Sequence, residues 1–571
     1  MTPSTPAPAD LIPPWGGRAV DLLVRDDARR RACHELGASA PSIVLSERSL
    51  ADLELLATGA YAPLTGFLGP ADAEAVLAGM RLADGTLFPI PVTLPVPAPV
   101  APGTGLALRD ADRELLAILT VDACFPWDAA REARVLWGEG ADEHPLRDEL
   151  LARPPWRVSG RLEVLRLPAP GPFARLRLTP AATRARLAAM GARRVVAFQT
   201  RNPMHGAHEW ITKAALDEVG GALLLHPTVG PSLPDDVDVP TRVRAVEALV
   251  AAHFDPARTL LAVLPLPMWM AGPREALLHA VVRRNYGADH LIVGRDHAGP
   301  GRLRSGRPCF APDAAQRLVA AHAHETGVAA VPFGEVVYLA DEGRYERAER
   351  VPPGARTLAL SGTEVRAHLA ARRPLPAWFT RPETAAVLAG GAPRDGRCVW
   401  LTGLPAAGKS TLARALAARF EEDGRPVTLL DGDVVRTLLS KGLGFSREDR
   451  DANVARIAFV AAEVVRHGGV AVVAAVSPYE AAREAARARV GAGRFLLVHV
   501  ATPLAVCEGR DGKGVYAAGR AGRARGVTGL DDPYEAPLRP DLVVDASAAT
   551  PETLVERIVA RLAGGAPGRG A

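Results

Sequence analysis

A multidomain α/β protein, with a mainly β domain ahead of two α/β domains, is the fold class this sequence predicts. Three observations predict it. The chain has 571 residues, several times the usual single-domain length. From about residue 175 the texture becomes an alternation of apolar strand-like runs and helical patterns. At GGAPRDG (390–396) a small-residue stretch interrupts that alternation, which then restarts; helices rarely cross such a stretch. The expected domains are therefore 1–170, 171–390 and 391–571.

In the first of these, LFPIPVTLPVPAPV (87–100) and ELLAILTV (114–121) are proline-rich or short apolar stretches that suit brief strands joined by turns. In the second, ARRVVAFQT (192–200) reads as a buried strand and HEWITKAALDEVG (208–220) as the helix after it. ALLLHPTVG, TLLAVLPLP and DHLIVGRD supply further strands. Such βαβ alternation predicts a parallel sheet with ligands at the strand carboxyl ends. The third repeats the pattern with RCVWLTG (397–403), VTLLDGD, VAVVAAVSP, RFLLVHVATP and DLVVD, and the final GGAPGRGA reads as frayed.

Composition narrows the partners. With 68 basic and 64 acidic residues the formal charge is +4, spread along the chain, whereas nucleic-acid binders concentrate basic residues in a patch. The densest basic run, Arg25 with Arg29, Arg30 and Arg31, is short and interrupted by Asp26 and Asp27, as in a solvated helix face. Cys33, Cys124, Cys309, Cys398 and Cys507 form no CxxC pair, which argues against a disulfide framework or a thiolate zinc site and for a reducing compartment. The N-terminal MTPSTPAPADLIPPWGGR lacks a charged region followed by an apolar core, and no apolar run approaches the roughly 18 residues of a membrane helix. A cytoplasmic protein with neither nucleic acid nor membrane as partner is expected. Lysine occurs four times, at 213, 409, 441 and 513; arginine replaces it on a solvated surface but not where a compact, flexible ammonium is needed.

Gly403-Leu404-Pro405-Ala406-Ala407-Gly408-Lys409-Ser410-Thr411 matches GxxxxGK[ST], follows an apolar strand and opens the helical run TLARALAARF. Backbone N–H groups of Gly403, Ala406, Ala407 and Gly408 can converge on ATP phosphates, with Ser410 and Thr411 opening the helix. Lys409 neutralises β/γ charge and Ser410 can hold Mg²⁺. Beyond the loop come LLDGDVVRTLLSKGLGFSREDRDANVARIAFVAAEV, AAVSPYEAAREAAR, VCEGRDGKGVYAAGRAG and GVTGLDDPYEAP. Over 397–545 the chain resembles adenylylsulfate (APS) kinases. The resemblance implies Asp433 as the base toward the 3′-hydroxyl of APS, and Arg436, Arg450 and Asn453 on its sulfate and phosphate. It also implies Phe445 packing on adenine, Ser477 at the position assigned a phosphorylated form, and Lys513 in a mobile lid. Phosphoryl transfer needs mostly positioning and charge stabilisation, so one oriented carboxylate beside Mg²⁺ and lysine suffices. Val434, Glu480 and Val527 depart from the family's usual Asn, Arg and adenine-stacking aromatic.

Gln199-Thr200-Arg201-Asn202-Pro203-Met204-His205-Gly206-Ala207-His208-Glu209 lies where a strand turns into a helix. Two histidines three apart share one side of the opening turn, near the helix's positive end. HxxHE is neither HExxH nor its inverse, and with no third ligand in view zinc is not expected. This motif resembles ATP sulfurylases (sulfate adenylyltransferases), and so do LADLELLATGAYAPLTGFLG (50–69), MRLADGTLFPIPVTL (80–94), AGPREALLHAVVRRNYGADHLIVGRDHAGPG (271–301) and LSGTEVRAHL (360–369). The resemblance covers about residues 20–390 and implies a PUA-like first domain and a Rossmann-like nucleotidyltransferase second. It implies sulfate on Gln199, Arg201 and the Ala298 backbone, a reacting centre of Thr200, Arg201 and Asn202, and transition-state stabilisation by His205 and His208. ATP would lie on Gln199, Arg201, Asn202, Gly294, Arg295, Asp296, His297 and Val336. Sulfate is already ionised and a weak nucleophile, so orientation and offsetting leaving-group charge are the requirements, not a general base. Trp269 stands where the family usually has arginine, and GPSLPDDVD (230–238) lacks a lysine common there.

Together the resemblances imply a bifunctional enzyme: ATP and sulfate give APS and pyrophosphate, then ATP phosphorylates APS to PAPS. ATP, sulfate and APS are the expected small-molecule partners, Mg²⁺ accompanies ATP, and a homo-oligomer is implied by both families. Two alternatives stay open: a C-terminal module that senses nucleotide, as in fungal-type sulfurylases whose kinase-like domain has lost its P-loop, and a sulfurylase running in reverse to make ATP.

Overall fold

The computed structural model describes residues 11–564 except 234–235, 361–363, 366, 369–370, 372, 390–394 and 513. The chain forms two compact units, one of residues up to 170 with 174–389 and one of 171–173 with 390 onward.

In the first unit, β1 (Ser42–Val44), β2 (Leu94–Val96), β3 (Gly105–Arg109), β4 (Leu115–Pro126) and β5 (Trp156–Val164) form a sheet in the order β1-β3-β4-β5-β2. Only the β1/β3 pair is parallel. The apolar run at 114–121 becomes most of β4, whereas the proline-rich 87–100 supplies just the three residues of β2, because proline cannot donate to a ladder. Helices at Asp27–Ser39, Glu47–Ala57, Pro70–Gly79 and Ala129–Trp137 accompany the sheet.

The alternating segment forms a parallel sheet of β6 (Val195–Phe198), β7 (Ala222–Leu225), β8 (Thr259–Leu261), β9 (His290–Gly294) and β10 (Ala329–Phe333), ordered β10-β9-β6-β7-β8. Its strands are buried on both faces: Val195 and Ala197 enter one core, Val196 and Phe198 the other. That period of two is what the uninterrupted apolar runs require. The order reverses between β6 and β9, which are paired in parallel, and a crevice outside the strand ends opens at such a switch point. One continuous core runs from Leu45 in the N-terminal part to Val328 beside β10. A three-stranded antiparallel sheet, β11 (Val336–Leu339), β12 (Arg344–Arg347) and β13 (Thr357–Leu358), completes the unit.

The second unit is built on β14 (Arg397–Thr402), β15 (Val427–Asp431), β16 (Val470–Ala474), β17 (Phe495–Val500) and β18 (Leu542–Val544), all parallel and ordered β15-β16-β14-β17-β18. Val399 and Leu401 of β14 face one core, Cys398 and Trp400 the other. Among the described residues no helix is long and apolar enough to cross a membrane.

Candidate active sites

The loops after β6 and β9 carry the sulfurylase-type residues to one end of the parallel sheet. After β6, the Thr200 hydroxyl donates to the Asn202 carbonyl at 2.9 Å and accepts from the Asn202 N–H at 3.0 Å, a local turn that competes with continuing the strand. Arg201 pairs with Asp236, whose other oxygen accepts from the Ser232 hydroxyl at 2.6 Å. Buried Arg242 donates to the carbonyls of Arg201 at 2.5 Å and Thr228 at 2.9 Å. Asp236, Ser232 and Arg242 carry no signal in the sequence, since a helical arginine and a loop aspartate are ordinarily solvated.

The helix Gly206–Val219 begins at the HxxH motif. The His205 N–H donates to His208 Nδ1 at 3.2 Å, which leaves the proton of a neutral His208 on Nε2. Burial lowers His205 to about 3 and His208 to about 4, so both rings are neutral at pH 7. Three contacts clamp this helix start. The Phe379 ring lies 4.4 Å from that of His205, the Phe379 carbonyl accepts from the Gly206 N–H at 2.9 Å, and Arg381 binds both Glu209 oxygens at 2.8 and 3.1 Å. A Cβ on Gly206 would stand 2.7 Å from the Tyr345 ring.

Gly294 ends β9; the exposed Arg295 and Asp296 follow, then His297 and Ala298, half-buried. Arg295 donates to Glu335 at 3.2 Å, one residue before Val336 at the start of β11. Surrounding protein strips enough water from the Asp296 carboxylate to raise it, although the residue keeps an exposed face. Ala298 has φ 56°, and its carbonyl accepts from the Gly272 N–H at 3.0 Å. His279, on the helix Pro273–Asn285, lies 3.2 Å from Gln199 Nε2 and 2.9 Å from His297 Nε2. The two loops are thus joined through a residue that sequence reasoning did not single out.

Trp269 lies away from solvent, 5% exposed, with the guanidinium groups of Arg48 and Arg153 at 4.7 and 4.6 Å from its ring.

In the second unit the phosphate loop follows β14 and opens the helix Lys409–Glu422. Gly408 has φ 96°, a conformation open to glycine, and a Cβ on Gly403 would meet the Val500 carbonyl at 2.4 Å. Ala406, at φ 56°, takes the left-handed form as well. The Thr502 hydroxyl donates to the Ala407 carbonyl at 2.8 Å, fixing the loop from behind. Lys409 Nζ reaches the carbonyls of Gly403 at 3.0 Å and Leu404 at 2.7 Å; Ser410 is half-buried and Thr411 exposed.

At the end of β15, Asp431 caps the short helix Gly432–Thr437 by accepting from the Asp433 N–H at 3.0 Å, and exposed Asp433 lies in its first turn. Arg436 and Arg450 stand over the Phe445 ring at 4.4 and 5.8 Å, and Phe445 itself is 63% exposed. Arg450 is held by Thr528 Oγ1 at 2.6 Å, the Gly526 carbonyl at 2.5 Å and the Phe445 carbonyl at 2.9 Å. Asn453 is buried with Oδ1 lacking a hydrogen-bond partner. Ser477 is buried at φ 44°, its hydroxyl accepting from the Trp400 indole at 3.0 Å. The altered positions have partners of their own: Glu480 pairs with buried Arg483, and Val527 packs into the core. Lys513 lies outside the described residues.

A sulfate adenylyltransferase from Aspergillus fumigatus is 44% identical to this chain, over 96% of it and 98% of the relative's own length. The chain belongs to the sulfate adenylyltransferase family. Within it, residues 174–390 match the family model for ATP-sulfurylase, 395–545 that for adenylylsulphate kinase and 12–167 that for a PUA-like domain. A second sulfate adenylyltransferase, from Chaetomium globosum, is 43% identical over 96% of this chain and 97% of its own. Among solved structures, one described as a hexameric APS kinase from Thiobacillus denitrificans is 35% identical and covers 97% of this chain and 99% of its own, with a TM-score of 0.56. The matches thus extend over both units of the chain.

Proposed function

We infer that the chain activates sulfate in two steps, adenylylation in the first unit and 3′-phosphorylation in the second. The observation that carries this reading is the pairing of a complete phosphate loop, Gly403–Thr411, with the two-loop site after β6 and β9 in one chain. APS formation is unfavourable, and its consumption by the kinase together with pyrophosphate removal pulls the sequence forward. A whole phosphate loop favours this over a nucleotide-sensing module.

For the first step we assign sulfate to Gln199, Arg201 and the Ala298 backbone, and ATP to Gln199, Arg201, Asn202, Gly294, Arg295, Asp296, His297 and Val336. Thr200, Arg201 and Asn202 surround the reacting α-phosphorus. His205 and His208, neutral before substrate arrives, offer N–H groups to the departing pyrophosphate, which stabilises its charge in a water-poor site. No base is needed, because sulfate arrives as an anion.

For the second step the N–H groups of Gly403, Ala406, Ala407 and Gly408 and the ammonium of Lys409 bind ATP phosphates, with Ser410 and Thr411 at the helix start. Mg²⁺ is usually held by one or two protein oxygens together with substrate phosphates. The Ser410 hydroxyl fits that requirement as a hard oxygen donor and would hold the ion. Mg²⁺, when bound, neutralises charge on the transferring phosphoryl group. Asp433 takes the proton of the APS 3′-hydroxyl. Arg436, Phe445, Arg450, Asn453 and Lys513 bind APS. Direct in-line transfer requires no phosphorylated form of Ser477, whose hydroxyl is occupied by Trp400.

We further place the protein in the cytoplasm, where ATP is made and where its five free cysteines stay reduced, and assign it a homo-oligomeric state like that named for the Thiobacillus structure. The three segments 1–170, 171–390 and 391–571 would divide the work as a PUA-like support, the sulfurylase and the kinase. The experiment is incubation with Mg-ATP, labelled sulfate and pyrophosphatase, followed by chromatography. Labelled PAPS is expected, and Lys409→Ala should stop at APS. APS alone from the unaltered protein would overturn the kinase assignment, and neither product would overturn both.

A further inference from the structure

His279 is fully buried yet touches neither sulfate nor ATP in the assignment above. Its Nε2 lies 3.2 Å from Gln199 Nε2 and its Nδ1 2.9 Å from His297 Nε2. The charged groups around it are Glu275, whose carboxylate is 3.7 Å from Nε2, and Arg283 one turn on. Glu275 is engaged elsewhere, accepting from the N–H groups of Trp269 at 2.9 Å and Ala271 at 3.0 Å. Burial keeps both His279 and His297 uncharged at neutral pH.

A neutral imidazole has one N–H, so it donates through one nitrogen and accepts through the other. As the amide stands, Gln199 Nε2 donates to His279 Nε2, His279 Nδ1–H donates to His297 Nε2, and the His297 proton sits on Nδ1. Every bond in this chain is fixed by its neighbour. Turning the Gln199 amide over reverses all of them: Oε1 accepts from His279 Nε2–H, and His297 gives its own Nε2–H to His279 Nδ1. The present orientation leaves Gln199 Oε1 buried without a hydrogen-bond partner, a costly arrangement. As it stands Nε2 spends its two hydrogens on His279 and, at 3.4 Å, on Met268 Sδ, so an anion on the Oε1 side of Gln199 meets an amide N–H only in the reversed chain.

We propose that His279 is a positioning residue that sets the Gln199 amide and the His297 tautomer together, so that the sulfate side and the nucleotide side of the sulfurylase site are prepared as one. This rests on Gln199 and His297 being ligands in that site.

The two ends of His279 can be tested apart. An asparagine amide reaches about as far as Nδ1, a glutamine amide about as far as Nε2. His279→Asn, which frees the Gln199 amide and keeps the His297 contact, should raise the KM for sulfate about tenfold, the loss of one positioned hydrogen bond, and that for ATP by much less, since its other assigned ligands are untouched. His279→Gln should do the reverse, and His279→Leu should raise both. A residue that merely fills space would not split the two constants by variant. Rates are read as pyrophosphate release by the full chain, with APS phosphorylation by the same preparation and a melting curve confirming that it is folded. Equal KM values across all three variants, a loss of kcat alone, or unfolding of all three would each overturn the proposal. Gln199→Ala and His297→Ala run in parallel: if neither changes its own KM, the ligand assignment has failed, whereas a response there without one at His279 refutes the positioning role.

Discussion

Asp236 places a negative charge against Arg201, a residue assigned to sulfate, and the pair is only 20% and 10% exposed at its two side chains. A carboxylate so near an anion site repels the incoming sulfate, and the repulsion is weakly screened where water is scarce. Asp236→Asn keeps a hydrogen-bond acceptor for Arg201 and removes the charge. The expected outcome is a KM for sulfate lowered about fivefold, measured from pyrophosphate release against sulfate concentration. Trp269 gives the second prediction at this scale. The guanidinium groups of Arg48 and Arg153 both lie over its ring, an attraction between cation and π face. Trp269→Arg, the residue the sequence resemblance leads one to expect there, would bury a third cation. It should destabilise the unit by about 2 kcal/mol, seen as a lower melting temperature, instead of improving activity.

At the scale of elements, the start of the Gly206–Val219 helix is held from outside by Phe379, Arg381 and Tyr345. Arg381→Ala removes a bidentate partner of Glu209. Because Arg381 is 47% exposed, the stability cost is under about 1 kcal/mol, yet the helix start that carries His205 and His208 loses one of its clamps. Sulfurylase kcat should fall about tenfold with APS phosphorylation unchanged, measured on one preparation. The strands carrying both sites were legible because strands buried on both faces read as apolar runs: VVAF and VWLT appear in β6 and β14. The phosphate loop was legible because its glycines and lysine are dictated by backbone geometry. The clamp was not, since an aromatic and an arginine some 170 residues beyond the motif carry no local pattern. His279 escaped for a related reason: within ALLHAVVRRN it has the look of an ordinary core residue, and its importance lies in what two distant loops bring to it.

For the whole molecule, acid is the instructive perturbation. His144, His205, His208, His226, His279 and His297 of the first unit are all held below the ordinary imidazole value by burial. Once unfolded they regain a pKa near 6.5. Below that pH the unfolded chain binds more protons than the folded one, so stability falls as pH drops through about 6.5 toward 4. Asp52, raised to about 6, and Glu132, Glu275 and Asp296, also raised, oppose the trend, but the histidines outnumber them. The thermal midpoint for loss of sulfurylase activity should be roughly 5 °C lower at pH 5.5 than at pH 7.5, and titration should record net proton uptake on unfolding. The continuous core from Leu45 to Val328 has a consequence for recombining this chain with its relatives. Crossovers placed inside that span would mix two sets of mutually fitted side chains and yield insoluble hybrids, whereas a junction between 389 and 395 exchanges one catalyst for another and leaves only 171–173 inherited apart from the unit they belong to.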